Sequence, residues 1–137
     1  MDLKIIENAD FLQLVNMVPK MYAAIDGSIN SFQAINTLMH FVNTQENFLA
    51  IGLYDEDVLT GFTMGHSLAN GVFYFSGIYI EAKNSRYTKL LIDFSFDLIK
   101  GKGYSGWQVD ATCSNIASIM EKYGAEVLYT RYSKEFL

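Results

Sequence analysis

Residues 48–81 read FLAIGLYDEDVLTGFTMGHSLANGVFYFSGIYIE, and this stretch decides the fold. It opens with a continuous apolar run, turns at the acidic residues 55–57, and then alternates apolar with small or polar residues over Val58–Leu68. Asn70-Gly71 is the dipeptide favoured by a two-residue type I′ turn, because both central residues of that turn need positive φ. Val72–Glu81 supplies a further strand. The stretch therefore predicts an antiparallel meander of three strands.

Before the meander, the pattern indicates one strand and two helices. Leu3–Ile6 is a short apolar strand, after which apolar residues recur with a helical period and Asn8 or Asp10 is expected to act as the N-cap. Pro19 should kink or end this first helix, because proline lacks the backbone N–H that helical bonding requires. Ser31 is expected to cap the second helix.

After the meander, the segments alternate between helix and strand. Thr88 is expected to cap a long helix that ends near Lys102. A strand over Trp107–Ala111, a helix that ends at Gly124 and a last strand over residues 127–132 follow. The last strand of the meander, the long helix and the strand over Trp107–Ala111 are predicted to form a right-handed parallel crossover.

The composition excludes several classes of protein. Half of the 137 residues are apolar and only 18% are charged, which favours a folded core, and no linker divides the chain, so residues 1–137 are predicted to form one domain. A net charge of −5 disfavours nucleic acid and an anionic membrane as partners. The chain has one cysteine and its N-terminus does not resemble a leader, which favours a cytoplasmic protein. With one cysteine and two histidines, a structural zinc site is not expected.

The order of the predicted elements resembles that of the Gcn5-related N-acetyltransferases (GNAT), and fragments of sequence add to the likeness. FLAIGLY and VLTGF, within residues 48–62, resemble the family's second and third strands, and residues 75–80 resemble its fourth. Residues 90–104 resemble the helix that follows, and Met120-Glu-Lys-Tyr-Gly-Ala resembles a helix end that usually reads Tyr-Glu-Lys-x-Gly-Phe. The resemblance implies an α/β (α+β) fold, with a mixed, mostly antiparallel central sheet flanked by helices.

The resemblance also implies acetyl-CoA as the cofactor. In the family, a loop that reads Gln/Arg-x-x-Gly-x-Gly/Ala holds the pyrophosphate on backbone N–H groups and on the N-terminus of the next helix. Residues 83–88 match it, but Arg86 and Thr88 occupy both glycine positions. Residues 21–82 contain no lysine or arginine, and then Lys83, Arg86 and Lys89 follow within seven residues. One interpretation of this cluster is a phosphate site, and the other is a solvated helix start. The implied cofactor-binding residues are Ile78 and Ile80 of the fourth strand, Lys83, Ser85, Arg86, Tyr87, Thr88 and, further on, Asn115.

The family's proton donor for the departing thiolate is missing. It is a tyrosine four residues before the glycine that ends the last helix, and Met120 stands at that position here, with no proton to give. Tyr123 lies three residues further on, about 300° around the helix, and is interpreted as a core residue. Cys113 has no histidine near it in sequence, so a nucleophilic role is not predicted.

Glu81 and Asp110 are the predicted catalytic bases for an amine acceptor. Each follows a strand at the splayed centre of the sheet, which faces the acceptor in this family. The alternative for both carboxylates is a surface or capping role. His66 is a further candidate, but it alternates with Phe62 and Met64 and is therefore interpreted as an inward histidine whose hydrogen bonds are satisfied.

The resemblance implies an acetyl-CoA-dependent N-acetyltransferase that acts on an unidentified amine of a small molecule or peptide. Two alternatives stay open. One is a catalytically degenerate interaction or virion-associated protein, as found among small bacteriophage proteins, and the other is a regulator that binds an acyl-CoA. Thirteen residues follow Gly124 where the family has two strands, so the last strand is expected to be missing, exchanged within a homo-oligomer or replaced by a partner's strand.

Overall fold

A five-stranded sheet organises the protein, whose computed structural model describes residues 1–25, 31–109 and 119–123. The strands are neighbours in the order of the chain, and every pair is antiparallel except the last. The mixed, mostly antiparallel sheet is therefore confirmed, with the three-stranded meander at its centre. The strands are β1 (Asp2–Ile5), β2 (Leu49–Asp55), β3 (Val58–Ser67), β4 (Val72–Ile80) and β5 (Gly106–Val109).

Three helices cover the two faces of the sheet: α1 (Phe11–Ile25), α2 (Ser31–Thr44) and α3 (Thr88–Gly101). Short 3-10 helices precede α1 at Asn8–Asp10 and α3 at Ala82–Tyr87, and residues 119–122 form a further helical turn. We call the side of the sheet that carries α1 and α2 the α1/α2 face and the other side the α3 face. Among the described residues, no helix is long and apolar enough to cross a membrane.

Pro19 lies inside α1 and does not end it, since the helix continues to Ile25. A proline in a helix interior costs about 3 kcal/mol. Val18 and Met21, on either side of it, are almost completely buried against the sheet. Each such side chain contributes about 1.5–3 kcal/mol on burial, which offsets the lost hydrogen bond.

The turn between β3 and β4 is a three-residue loop, and the expected two-residue type I′ turn is wrong. Leu68 N–H donates to Val72 O at 2.8 Å and Gly71 N–H donates to Leu68 O at 3.3 Å, so residues 69–71 form the loop. Within it only Gly71 has positive φ, at 78°. A type I turn followed by one left-handed residue is the usual way to close a loop of this length. Because Leu68 pairs with Val72, three residues lie between the strands, and the turn differs from the two-residue type I′ turn that was expected.

A β-bulge at Ser76 divides β4 into two halves. Phe75 pairs with Gly65 and Gly77 pairs with Met64, which leaves Ser76 without an opposite residue on β3. In a regular strand Phe75 and Gly77 would share a face. Here Phe75 packs into the core on the α3 face, whereas a Cβ on Gly77 would lie 2.9 Å from a methionine sulfur of α1. The bulge therefore reverses the alternation of β4 for the residues that follow it.

Aromatic contacts hold β5 in place. β5 pairs with β4 in parallel over four residues, from Val72 with Gly106 to Phe75 with Val109. Trp107 of β5 stacks on Phe96 of α3, with ring centroids 4.2 Å apart and planes at 13°. β4, α3 and β5 thus form the parallel connection that the order of strand, long helix and strand predicted.

Candidate functional site

The two halves of β4 differ in what lies beside them. Over Val72–Phe75 the strand is paired on both sides, with β3 and with β5. Over residues 76–80, pairing within the described part of the chain is with β3 alone. We call residues 76–80 the open half of β4. The open half leads directly through the 3-10 helix into the N-terminus of α3.

Ile78 and Ile80 point their backbone groups away from β3, to the side that has no partner strand among the described residues. Glu81 N–H donates to Thr60 O on β3 at 2.9 Å. Successive residues of a strand direct their backbone groups to opposite sides. The N–H groups of Ile80 and Ile78 consequently point away from β3, toward the side that β5 occupies next to the first half. The two isoleucines predicted from the resemblance therefore present donors on the side of β4 away from β3, and their role in binding a cofactor stays a prediction.

The segment between β4 and α3 is a 3-10 helix and not an open turn. Asn84 N–H donates to Glu81 O at 2.8 Å, and Thr88 N–H donates to Ser85 O. Thr88 is the first residue of α3 and not its cap, and its hydroxyl also donates to Ser85 O, at 2.7 Å. No residue from 82 to 88 has positive φ. Because both glycine positions carry side chains, the segment keeps a right-handed conformation, and two of the amides that the resemblance assigns to an anion are already hydrogen-bonded.

The basic side chains of this segment lie at the surface. Lys83 Nζ is 3.6 Å from a carboxylate oxygen of Glu81, and the lysine side chain is 71% exposed. Arg86 lies over the ring of Tyr87, 4.7 Å from its centroid, and donates through Nη2 to the Tyr87 hydroxyl at 3.3 Å. Exposed pairs of this kind contribute only about 0–1 kcal/mol. Both cations can therefore exchange these partners for a phosphate at little cost.

Asn84 belongs to this site, although the sequence analysis did not select it. It lies at the break in the 3-10 helix, with φ −113° and ψ 15°, and is only 5% exposed. Its Nδ2 is buried and has no hydrogen-bond partner. An unpaired buried donor costs about 1–3 kcal/mol, so an acceptor oxygen placed against it would be stabilised. An asparagine in a polar segment carries no sequence signal of burial, which is why it was missed.

Glu81 lies where β4 passes into the 3-10 helix. Its side chain is 23% exposed and stands between two ammonium groups, Lys20 Nζ of α1 at 3.5 Å and Lys83 Nζ at 3.6 Å. Both lysines compete with a substrate proton for the carboxylate oxygens. This geometry ties α1 to the start of the 3-10 helix, and the catalytic role of Glu81 stays a prediction.

Several residues selected from the sequence lie outside the described residues. They are the predicted base Asp110, the predicted cofactor contact Asn115, Cys113, Gly124 and the last strand over residues 127–132. Their roles stay predictions.

Tyr123 is bound to α3. Its hydroxyl donates to Asp93 Oδ1 at 2.7 Å, and its ring meets Phe96 edge-on at 5.2 Å. Burial, together with the Asp93 carboxylate, raises the pKa of Tyr123 to about 12. Lys89 donates to the other Asp93 oxygen at 2.6 Å, and the bonds from Lys89 and Tyr123 lower the pKa of Asp93. The tyrosine proton is thus held by a carboxylate, which agrees with the interpretation of Tyr123 as a packing residue.

His66 points inward as expected, but its hydrogen bonds are not all made. It is 6% exposed, its ring stacks on Phe41 of α2 at 5.9 Å, and Tyr74 of β4 lies 5.5 Å away. His66 Nδ1 is buried without a partner, so the expectation of a satisfied histidine is wrong. The hydroxyl of Ser76, at the bulge, is also buried without a partner. Burial lowers the pKa of His66, which keeps the imidazole neutral near pH 7.

Comparisons with known proteins identify the fold. No protein-family model and no curated protein sequence matches the chain. Among solved structures, the ribosomal-protein-alanine N-acetyltransferase of Brucella melitensis is 19% identical with a TM-score of 0.71, over 99% of this chain and 100% of that one. The PaiA N-acetyltransferase of Thermoplasma acidophilum, in complex with coenzyme A, is 16% identical with a TM-score of 0.68, over 96% and 94%.

A third similar structure is an aminoglycoside acetyltransferase from an uncultured soil metagenomic sample, in complex with sisomicin. It is 14% identical with a TM-score of 0.71, over 99% of this chain and 96% of that one. The alignments span almost the whole of every chain. The protein therefore has the fold of the Gcn5-related N-acetyltransferases, as the order of its elements implied.

Proposed function

We propose that the protein is an acetyl-CoA-dependent N-acetyltransferase that acts on an amine. The open half of β4 carries the proposal, because two backbone donors face away from β3, have no partner strand among the described residues, and precede the N-terminus of α3. The similar solved structures support it, since each bears the name of an acetyltransferase and one was solved with coenzyme A.

The residues of this chain fit coenzyme A in a modified way. The N–H groups of Ile78 and Ile80 are placed to bind carbonyl oxygens along the open half. At the diphosphate end, the amides of Asn84 and Thr88 are already bonded, so side chains must take over part of their role. Lys83 and Arg86 supply the charge, Asn84 Nδ2 supplies an unpaired donor, and α3 adds the positive end of its dipole.

Acetyl-CoA supplies an activated acyl group as a thioester, and the chain supplies position and polarisation. Holding an amine next to a fixed carbonyl removes much of the entropic barrier. Backbone donors aimed at an oxygen that gains charge contribute about 10²–10³-fold in rate. The N–H of Ile78, near the bulge, is the donor that we assign to the carbonyl to be attacked.

Calorimetric titration with acetyl-CoA tests this proposal on the wild type and on Ile78→Pro. Proline removes one N–H from the side of β4 that faces away from β3, where the described residues form no sheet hydrogen bond. We expect the wild type to bind and the variant to bind about tenfold more weakly, the effect of one hydrogen bond. Tyr79→Pro is the matched control, because it removes an N–H aimed at β3 and should lower stability. No heat from the wild type at millimolar acetyl-CoA would refute the proposal.

One observation favours the alternative of a catalytically degenerate interaction protein, namely the closed 3-10 helix before α3. In that case the basic side chains would remain at the surface, and thermal shift with coenzyme A would show no stabilisation. A further proposal is that identical subunits exchange their C-terminal strands and so form a homo-oligomer. Sedimentation velocity checks this. The cytoplasmic location, the bacteriophage origin and a small-molecule or peptide acceptor stay predictions.

A further inference from the structure

Two buried polar atoms beside the bulge of β4 have no hydrogen-bond partner. They are Nδ1 of His66 on β3 and the hydroxyl oxygen of Ser76 on β4. Buried polar groups in folded proteins are nearly always paired, so each exception calls for a physical explanation. Two exceptions on adjacent strands, where the sheet begins to open, indicate a polar ligand that completes both.

The two side chains belong to the same face of the sheet. His66 lies on the α1/α2 face, where its ring stacks on Phe41 of α2. Tyr74 is directly opposite His66 across the strand pair, and Ser76 follows Tyr74 by two residues. In the bulge, Ser76 and Gly77 together oppose Met64 of β3, which packs on the α1/α2 face. Ser76 is thus the diagonal neighbour of His66, a relation of roughly 7–8 Å in a regular pair.

The pair also adjoins the open half of β4. Ser76 is the first residue beyond the last described pair between β4 and β5, which joins Phe75 to Val109. Ile78, whose N–H points to the unpaired side, comes two residues later, roughly 7 Å further along the strand. A small group held at Ser76 is therefore within reach of a carbonyl bound at Ile78.

We propose that His66 and Ser76 form the acceptor subsite, in which the Ser76 hydroxyl orients a primary amine and Nδ1 of His66 takes its proton. This inference rests on the proposed acetyltransferase function. It specifies which residue acts as the base and which class of amine is the acceptor. It assigns the base to an atom without a competing partner, whereas Glu81 already has two lysines beside its carboxylate.

The surroundings of His66 suit a neutral base. The groups that face it are rings: Phe41 from α2, with His40 behind it at 6.2 Å, and Tyr74 from β4. None of the ion pairs in the described part of the chain includes His66. Burial lowers the pKa of His66, and with its proton on Nε2 the ring presents a lone pair at Nδ1.

The reaction balances without another reactant. An alkylammonium gives one proton to His66 Nδ1, and its nitrogen lone pair forms a bond to the acetyl carbon. The carbon–sulfur bond of the thioester breaks, and its electron pair leaves with sulfur. The second proton lost by the nitrogen goes to sulfur, and the imidazolium releases the first to solvent. The products are an amide, a thiol and one proton.

The same rings indicate the kind of amine. Phe41 and Tyr74 flank His66, and aromatic faces attract an ammonium and pack against flat apolar groups. The subsite therefore fits a primary amine carried on an aromatic group. Benzylamine is the simplest probe of that class.

The first test compares His66→Phe with His40→Phe, since His40 is an exposed histidine next to Phe41 in α2. Phenylalanine keeps a ring in place but has no Nδ1. With acetyl-CoA and benzylamine, we expect kcat to fall about 100-fold in His66→Phe, the usual loss of a general base, and to stay constant in His40→Phe. Because an unpaired buried group is removed, Tm of His66→Phe should rise by about 3 °C. A histidine with a purely structural role would give a lower Tm and an unchanged kcat.

The second test does not depend on turnover. The chain has two histidines, so the ring signals of His66 in an NMR spectrum are identified by their persistence in His40→Phe. We expect benzylammonium to shift the His66 signals and leave those of His40 unchanged in the wild type. Ser76→Ala should weaken that binding about tenfold, as expected for one lost hydrogen bond.

The outcomes separate the two levels of inference. If acetyl-CoA does not bind, the proposed function and the acceptor subsite fail together. If acetyl-CoA binds and His66→Phe acetylates benzylamine at the wild-type rate, only the acceptor subsite fails. It also fails if acetyl-CoA binds and benzylammonium leaves the His66 signals unmoved.

Discussion

The two halves of β4 have different described neighbours. Val72–Phe75 is paired on both sides and gives its phenylalanines to the core on the α3 face. Residues 76–80 pair with β3 alone in the described structure and precede the cationic segment before α3. A single inserted residue, Ser76, separates the halves. The comparison teaches that a single bulge can separate a stretch of core strand from a stretch whose described partner strand is β3 alone.

Deletion of Ser76 should break this comparison with the largest effect. The pairs of Phe75 with Gly65 and of Gly77 with Met64 can both persist without the extra residue, so the sheet should still form. The open half would then continue the direction of the first half, and its donors would no longer be set apart from β5. We expect acetyl transfer to benzylamine to fall by about 100–1000-fold, as on loss of oxyanion donors.

A second bulge provides the control for this deletion. Leu53 pairs with Gly61 and Tyr54 pairs with Leu59, so Thr60 is the extra residue of β3 opposite β2. Deletion of Thr60 removes the acceptor of the Glu81 N–H, so it should lower stability, but it should lower kcat of the folded protein much less than the Ser76 deletion does. Circular dichroism at the assay temperature gives the folded fraction. Equal activity in the wild type and the Ser76 deletion would show that the bulge does not create the site.

Glycine-to-alanine substitutions on either side of the boundary sharpen the comparison through stability. A Cβ on Gly65, in the doubly paired region, would overlap the backbone oxygen of Tyr74, so the backbone itself must move. On Gly77, in the open half, it would meet the flexible ends of Met21 and Met64 at 2.9 Å. We expect losses of about 3 kcal/mol for Gly65→Ala and about 1 kcal/mol for Gly77→Ala in urea denaturation. The reverse ranking would contradict the assignment of the rigid half.

The smallest expected effect concerns pH and His66, which lies opposite the end of the first half. Burial lowers the pKa of His66 in the folded protein, so between that pKa and the ordinary value of about 6.5 the unfolded chain binds more protons. Stability should therefore fall as the pH drops below about 6.5. His66→Phe should reduce the difference in Tm between pH 7 and pH 5 by about 2 °C, whereas His40→Phe should not. An unchanged difference in His66→Phe would show that another group titrates.

Local patterns predicted the elements well. The third strand was expected over Val58–Leu68 and covers Val58–Ser67, because alternation and turn residues act between near neighbours. The long helix, expected from Thr88 to about Lys102, ends at Gly101. Where a pattern competed with distant packing it failed: Pro19 lies within a helix whose neighbouring side chains are buried by the sheet.

The site was predicted less completely, because its main features depend on tertiary contacts. Nothing in the sequence marks Ser76 as an inserted residue, since a bulge is defined by the partner strand. The unpaired atoms of His66 and Asn84 are likewise visible only when all neighbours are in place. The resemblance located the segment at residues 83–88, but the missing glycines gave it a 3-10 conformation that the family pattern did not imply.

The stack of Trp107 on Phe96 provides a built-in optical probe. Trp107 is the chain's one tryptophan, and it lies on β5, the strand that borders the opening, 4.2 Å from the phenylalanine ring of α3. Any occupant that separates β5 from the helix would alter indole emission. Stopped-flow fluorescence could then follow arrival of the first substrate in the unlabelled protein, before any product is made.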